Sequence, residues 1–378
     1  MHSVHHSAPG NFQGKHEILS GLVPFVTYIN FVQTTGCVNF LVSSFGIAMN
    51  VLILRTFLAM GGVFTEGVTF TFFSLALSDL GLCVCSLCWS VSASCFLLEK
   101  RFVRTPQIFY YFPVDPRALG FYSHITMIIF GIMTTLITIY LAVMRCLCVA
   151  QPLTFRGSLS PRKTCLLFAA FLVFGASTRL PIFSSGGVRA TFDRRWNVSR
   201  PTLWSQPYQE RLKDGVRIAV DVPLPVVAEV VLSICIIVMT NALRASSQFR
   251  SQNTTDSGVS KSENHRTGHK EEAGKQRPDR NSESLAGKSK KLSPKDVRVI
   301  KQLVIISLVY ILCNVPKLAR TVGDALEPEF MLGRRFEHFY DIVTHIQLIV
   351  ETVNSSVNFF IYLYFNTKFR QEFFSYKD

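Results

Sequence analysis

The sequence predicts an all-α protein built as a bundle of seven membrane-crossing helices, and three observations carry that reading. Of the 378 residues 48% are apolar and only 17% are charged, whereas soluble domains carry about 25% charged residues. The charges are missing from seven stretches, most of them close to the roughly 20 apolar residues that a helix needs to cross a bilayer. The basic residues that remain are concentrated: 14 of the 39 Lys and Arg fall between Arg244 and Lys301. This composition excludes a disordered chain and a small disulfide scaffold. It also makes a poor water-soluble enzyme, and no Ser/His/Asp, zinc or nucleotide-binding constellation stands in a loop.

The first stretch, 38–57, has Arg55 as its only charge, and the second, 67–98, has only Asp79. The third, 118–144, has none and carries a single His124. The fourth, 164–188, holds only Arg179, and the fifth, 222–243, only Glu229. The sixth is short, 302–316, but Lys301 and Lys317 flank it with stems long enough to reach an interface. The seventh, 342–367, contains only Glu351. A core buried in protein would break such runs with polar turns more often.

The division that follows is an N-terminal segment 1–33, a seven-helix body 34–374 and a tail 375–378. Within the body, 245–294 is a polar, basic loop whose composition predicts disorder. The positive-inside bias places that loop in the cytoplasm and the N-terminus outside, in a multi-pass protein of the plasma membrane. Asn197-Val198-Ser199 then falls outside, making Asn197 the glycosylation acceptor. The first apolar stretch follows no basic n-region, so the first span is expected to direct insertion itself. The ten cysteines all lie in or beside the spans, and none has zinc-type spacing. Cys37 and Cys95, near the outer ends of the first two spans, are either a disulfide or two free buried thiols.

Ionisable and amide groups inside a membrane are costly and point to function by default. Asp79 stands in the second span and Asn50 in the first; Asn354, Ser355, Ser356 and Asn358 crowd the seventh. The third span sets Gly120, His124, Met127, Gly131, Thr134, Thr138 and Arg145 on one helical stripe. Two readings stay open from these residues alone: hydrogen bonding between helices, or a polar interior with a bound cation.

The order and spacing of these residues resemble the rhodopsin-like (class A) G-protein-coupled receptors across all seven spans. Asn50 and Val51 are similar to the first-helix G-N-x-V region, and Ser74 to Leu80 to L-A-x-x-D, with Asp79 as its aspartate. Arg145, Val149, Pro152 and Leu153 resemble D-R-Y-x-x-V-x-x-P-L. Tyr310, Cys313 and Pro316 resemble F-x-x-x-C-W-x-P, and Asn358 with Tyr362 resembles N-P-x-x-Y. Phe369-Arg370 fits a short amphipathic helix after the seventh span. In texture the chain is similar to invertebrate chemosensory and neuropeptide receptors of that family.

The resemblance implies a cell-surface receptor that passes an extracellular ligand's signal to a heterotrimeric G protein, with kinases and arrestin acting at the third cytoplasmic loop. It implies no nucleic-acid partner and no cofactor beyond a sodium ion, which Asn50, Asp79, Thr134, Asn354 and Asn358 would hold together with or in place of waters. Arg145 and Tyr362 become the G-protein-side switch, and Tyr310, Asn314 and Pro316 the sixth-helix switch. His124, Met127, Gly131, Arg179, Asn314 and Glu351 become the pocket for a small polar ligand or a peptide end.

The departures are specific. Met144 replaces the acid before Arg145, leaving Asp296 either to restrain that arginine or simply to favour a helix N-terminus. Asn314 replaces the sixth-helix tryptophan, and Phe359 the proline after Asn358. Gly120 stands where the third-helix cysteine would be, and the second outer loop has no cysteine. Two other readings therefore remain: a receptor-like protein that no longer signals, and an ion transporter built on Asp79, Glu229 and Glu351.

Overall fold

The computed structural model describes residues 23–101 except 64, 112–150, 160–193, 198–259, and 294–375 except 328, 332 and 333. Side chains at 100–101, 149–150, 193, 198, 245–259 and 294–296 are outside the description. Asn197 and the Asp296 side chain therefore lie outside the described residues.

Seven helices are long and apolar enough to span a membrane. They are α1 (Phe25–Ala59), α2 (Gly67–Arg101), α3 (Pro116–Ala150), α4 (Pro161–Ser184), α5, α6 (Pro294–Leu326) and α7 (Glu337–Phe365). The fifth, α5, is compound: a short helix Gln209–Val216, a π-helical turn Arg217–Asp221, then Pro223–Val259. A short α8 (Thr367–Ser375) follows α7. Between α4 and α5 an antiparallel hairpin forms, β1 (Gly186–Asp193) and β2 (Val198–Ser205), with Gly186 opposite Ser205 and Asp193 opposite Val198.

Local sequence explains the ends. α1 starts behind Pro24 and stops at Gly61 and Gly62, whose φ of +67° and +70° suit residues without a Cβ. α4 has Ser160 at its N-cap and Pro161 in its first turn, where a missing N–H costs nothing. Asn366 caps α8, its side-chain oxygen accepting the Phe369 N–H at 3.1 Å. α8 then docks through Phe369, which is fully buried against Phe57, Phe359 and Tyr362. Phe359, at the family's proline position, thus packs α8 onto the bundle.

Two helices form the axis. In α3 and α7 44% of the most apolar window is buried, against 22% in α4. α3 packs on α2, α4, α5 and α6, and α7 closes the ring against α1, α2 and α6. α4 lies outside this ring, resting on α3 and α2.

Three features differ from the sequence reading. α6 runs ten residues past Pro316, because a proline inside a membrane helix bends it without ending it when neighbours satisfy the freed backbone. Lys317 and Arg320 are therefore helical and not loop residues. The backbone of α5 continues as helix to Val259, so 245–259 is not an irregular loop. Finally, the stretch after α4 forms a hairpin, which no alternation in its sequence announced.

No cysteine stands in this hairpin; among the described residues an ion pair and a main-chain bond tie it to the bundle. The Asp115 N–H donates to the Pro201 carbonyl at 2.9 Å, and Arg200 pairs with Glu99 of α2 at 2.5 Å. Gly120 packs so closely on α2 that an added Cβ would stand 2.6 Å from Ser92 Oγ, which leaves no space for a cysteine. Cys37 and Cys95 are both free thiols, which corrects the disulfide alternative. Gly36 and Ser94 face each other across the α1–α2 seam, so Cys37, one residue further round α1, is turned outward and exposed.

Candidate functional site

Mid-bundle, two helices deliver donors to a carboxylate on a third. Asp79 is 0% exposed. One of its oxygens accepts from Thr134 of α3 at 2.9 Å and from Ser355 of α7 at 3.1 Å. The other accepts from Asn358 of α7 at 2.8 Å. Ser78 Oγ lies 2.9 Å from the Thr134 hydroxyl and extends the group. A buried charge is tolerable only when hydrogen bonds replace its hydration, and both oxygens of Asp79 are so bonded. Asn50 reaches the same place indirectly, donating to the Ser355 carbonyl at 2.9 Å, while its own side-chain oxygen is buried without a partner among the described residues.

This convergence brings together four of the five residues singled out from the sequence. The fifth, Asn354, does not bond Asp79; Ser355 fills that part, and Asn354 turns to an adjoining cavity. One helical step separates the two residues, and sequence alone does not fix the rotation of α7 to that accuracy.

That small cavity lies between α3, α6 and α7 and is lined by Gly131, Thr135, Asn314, Lys317, Glu351 and Asn354, among others. The Tyr310 hydroxyl donates to Thr135 at 2.7 Å, and Thr135 donates to the Gly131 carbonyl at 2.9 Å. Asn314 donates to the Tyr310 carbonyl at 2.8 Å, one half-turn before the Pro316 bend. Its side chain is committed to its own helix, so this position is a polar local cap where a tryptophan would fill space.

Above it, toward the hairpin, a larger cavity opens with about 700 Å³ of space including its mouth. His124, Met127 and Gly131 line it as the α3 stripe predicts, and Glu351 is shared between the two cavities. Glu351 is paired with Lys317 of α6 at 3.1 Å and accepts from Gln347 at 3.0 Å. Its required partner is therefore a lysine across the α6–α7 seam. Arg179 neither lines the cavity nor turns toward the hairpin; it pairs with Asp221, which does line the cavity. The π-helical turn accomplishes this, since its extra residue per turn rotates Val220 and Asp221 inward.

Sequence reasoning missed Asp221, Lys317, Arg320 and Gln347. The available signal was spacing: Lys317 and Arg320 are three apart and share one helical face, but the sixth apolar run ends at Pro316, which leaves both beyond the span.

At the opposite end, Arg145 sits half-buried near the end of α3. Tyr362 is fully buried, edge-on to Phe57 and Phe72, and its hydroxyl has no partner among the described residues. The role considered for Asp296 rests on a side chain outside the described residues.

Seven spanning helices, a buried acid cluster and a cavity open at one end define a multi-pass membrane protein of the receptor type. The chain matches the family described as 7 transmembrane receptor (rhodopsin family) over residues 49–362. It belongs to that family. No curated protein matches it.

Proposed function

We propose that the protein is a plasma-membrane receptor, N-terminus and hairpin outside, that transmits ligand binding in the larger cavity to a heterotrimeric G protein at the Arg145 end. The observation that carries this reading is the continuity of polar side chains between the two ends. Glu351 and Lys317 border both cavities, the smaller cavity touches Thr134 and Ser355, and these two bond Asp79 with Asn358. A ligand that shifts α6 against α7 alters the Lys317–Glu351 contact first, and the Asp79 cluster lies directly below.

The test is a ligand screen in cells with a second-messenger readout, beside an Arg145→Ala variant. A compound that raises the messenger in wild type and not in Arg145→Ala supports the reading. Met144 and Asn314 favour a second reading, a receptor that binds without signalling, and in that case wild type binds compounds yet drives no nucleotide exchange.

The Asp79 cluster also suits a sodium ion. One carboxylate, the Thr134 and Ser355 hydroxyls and the partnerless oxygen of Asn50 supply the oxygen donors that a hard cation takes. A sodium-dependent rise in thermal stability, absent with choline and lost in Asp79→Asn, supports that assignment.

A further inference from the structure

The charged groups around the larger cavity are not all paired with one another. Its lining carries two cations, Lys317 and Arg320, and two acids, Glu351 and Asp221. Asp221 is already neutralised from behind by Arg179, and Glu351 by Lys317. The next carboxylate along α6, Asp324, is bound to Arg217 at 2.5 Å. Arg320 is close enough to Glu351 for its charge to be felt there, but it is not in contact with either acid. It has no ion pair among the described residues; one terminal nitrogen donates to the Tyr340 hydroxyl at 2.9 Å and its plane lies over that ring at 5.6 Å.

A guanidinium presents five N–H donors, and here the Nε is buried with no acceptor among the described residues. Two more polar atoms on the same cavity wall are also buried and partnerless: His124 Nδ1 and Gln347 Oε1. Much of the remaining wall is apolar, with Met127, Ile128, Ile132, Leu224 and Leu348.

We propose that the cavity takes a monoanionic organic acid with an apolar body, its carboxylate anchored on Arg320. The proposal rests on the reading of this cavity as the ligand site and names the ligand's chemistry. The carboxylate supplies the ion-pair partner that Arg320 lacks. Charge-assisted pairing of arginine with carboxylate is among the stronger hydrogen-bonded contacts, and a low-dielectric wall strengthens it. The apolar body fills the Met127–Leu348 side. A cationic ligand finds both acids already paired, and it faces Arg320.

The experiment measures thermal stabilisation of the purified full-length protein in detergent, a readout that needs no G protein. The probes are a panel of linear and aromatic monocarboxylates, from octanoate and decanoate to phenylacetate and indole-3-acetate, each beside its neutral amide and its amine counterpart. A peptide ending in a free carboxylate runs alongside as a separate arm. The expected result is stabilisation by at least one small acid, with its amide at least tenfold weaker and its amine without effect. Arg320→Gln should lose the acid's effect at least tenfold, and Arg320→Lys should keep part of it. Glu351→Gln, which frees Lys317 as a second cation, should tighten acid binding, and this gain cannot arise from a damaged fold.

Amides or amines that stabilise as well as acids, no stabilisation by any small acid, or acid binding indifferent to Arg320→Gln would each overturn the proposal. Binding by the peptide arm alone would overturn it in favour of a peptide ligand. Acids that bind without promoting nucleotide exchange leave the ligand class standing and remove the receptor reading. Neutral compounds that signal through a G protein while acids fail to bind do the reverse.

Discussion

The Asp79 cluster and the hairpin-side cavity are both polar regions inside an apolar bundle, and they are built on opposite terms. Around Asp79, hydroxyls and an amide from α3 and α7 meet both carboxylate oxygens, so the acid itself is held by the protein, and the neighbouring oxygen of Asn50 is left without a partner among the described residues. Around the cavity, a guanidinium nitrogen, an imidazole nitrogen and an amide oxygen are buried without partners. A closed polar network fixes how helices sit against each other. An open one bordering a cavity is where an incoming molecule gains contacts the protein itself does not make. The comparison assigns coupling to the first region and recognition to the second.

The largest expected effect breaks the closed region. Asp79→Ala leaves the Thr134, Ser355 and Asn358 donors buried and unmatched, which should cost about 3 kcal/mol by the usual penalty for such groups. A thermal unfolding series in detergent reads this, and Arg320→Gln in the same series should cost less, about 1 kcal/mol for the lost Tyr340 contact. Equal losses in both variants would erase the distinction between the regions.

Next comes the pair behind the cavity. Arg179 is 3% exposed and Asp221 only partly so. Arg179→Met alone should cost about 2 kcal/mol by stranding Asp221, below the usual loss for a fully buried pair, and the Arg179→Met/Asp221→Leu double variant should recover most of it. Chemical denaturation of the four proteins of that cycle gives the coupling.

A smaller effect is expected at the join of the two regions. Tyr310→Phe removes one neutral hydrogen bond to Thr135 and should cost about 1 kcal/mol. It should also alter ligand efficacy more than ligand affinity, measured by concentration–response curves beside direct binding.

An effect of similar size concerns the hairpin between α4 and α5. Asp115 is buried, which opposes its charge, but hydrogen bonds and the charge of Arg117, with the Leu203 N–H, hold its carboxyl below the usual carboxylate range. A depressed folded pKa means that its contribution is present above about pH 4, the ordinary aspartate value. It is lost as pH falls further, through the folded pKa. Asp115→Asn should therefore differ from wild type in hairpin protection at pH 7, by about 1 kcal/mol, and converge with it in acid. Limited proteolysis of the hairpin across pH checks this.

Much of the closed region was legible in the sequence, and less of the open one. Asp79, Thr134 and Asn358 stand at positions where period and resemblance agree, and helices of fixed rise carry them to one level. Asn354 and Ser355 could not be told apart, because helix rotation is set by packing. Arg320 and Lys317 stand beyond the apolar run that ends at Pro316, and only the length of α6 makes them cavity residues. Asp221 depended on a π-helical turn, which leaves no periodic trace. The hairpin's clamps join residues about 85 to 100 apart, at Asp115 with Pro201 and Arg200 with Glu99, and no local pattern encodes them.

The most direct test sets binding against coupling in one preparation. Wild type, Asp79→Asn and Arg320→Gln are purified, and each is assayed for binding of the monocarboxylate giving the greatest wild-type stabilisation and for ligand-driven nucleotide exchange on a reconstituted G protein. The account predicts that Arg320→Gln loses binding at least tenfold, while Asp79→Asn binds within threefold of wild type and loses most of its ligand-driven exchange. Binding lost in Asp79→Asn and retained in Arg320→Gln would contradict it.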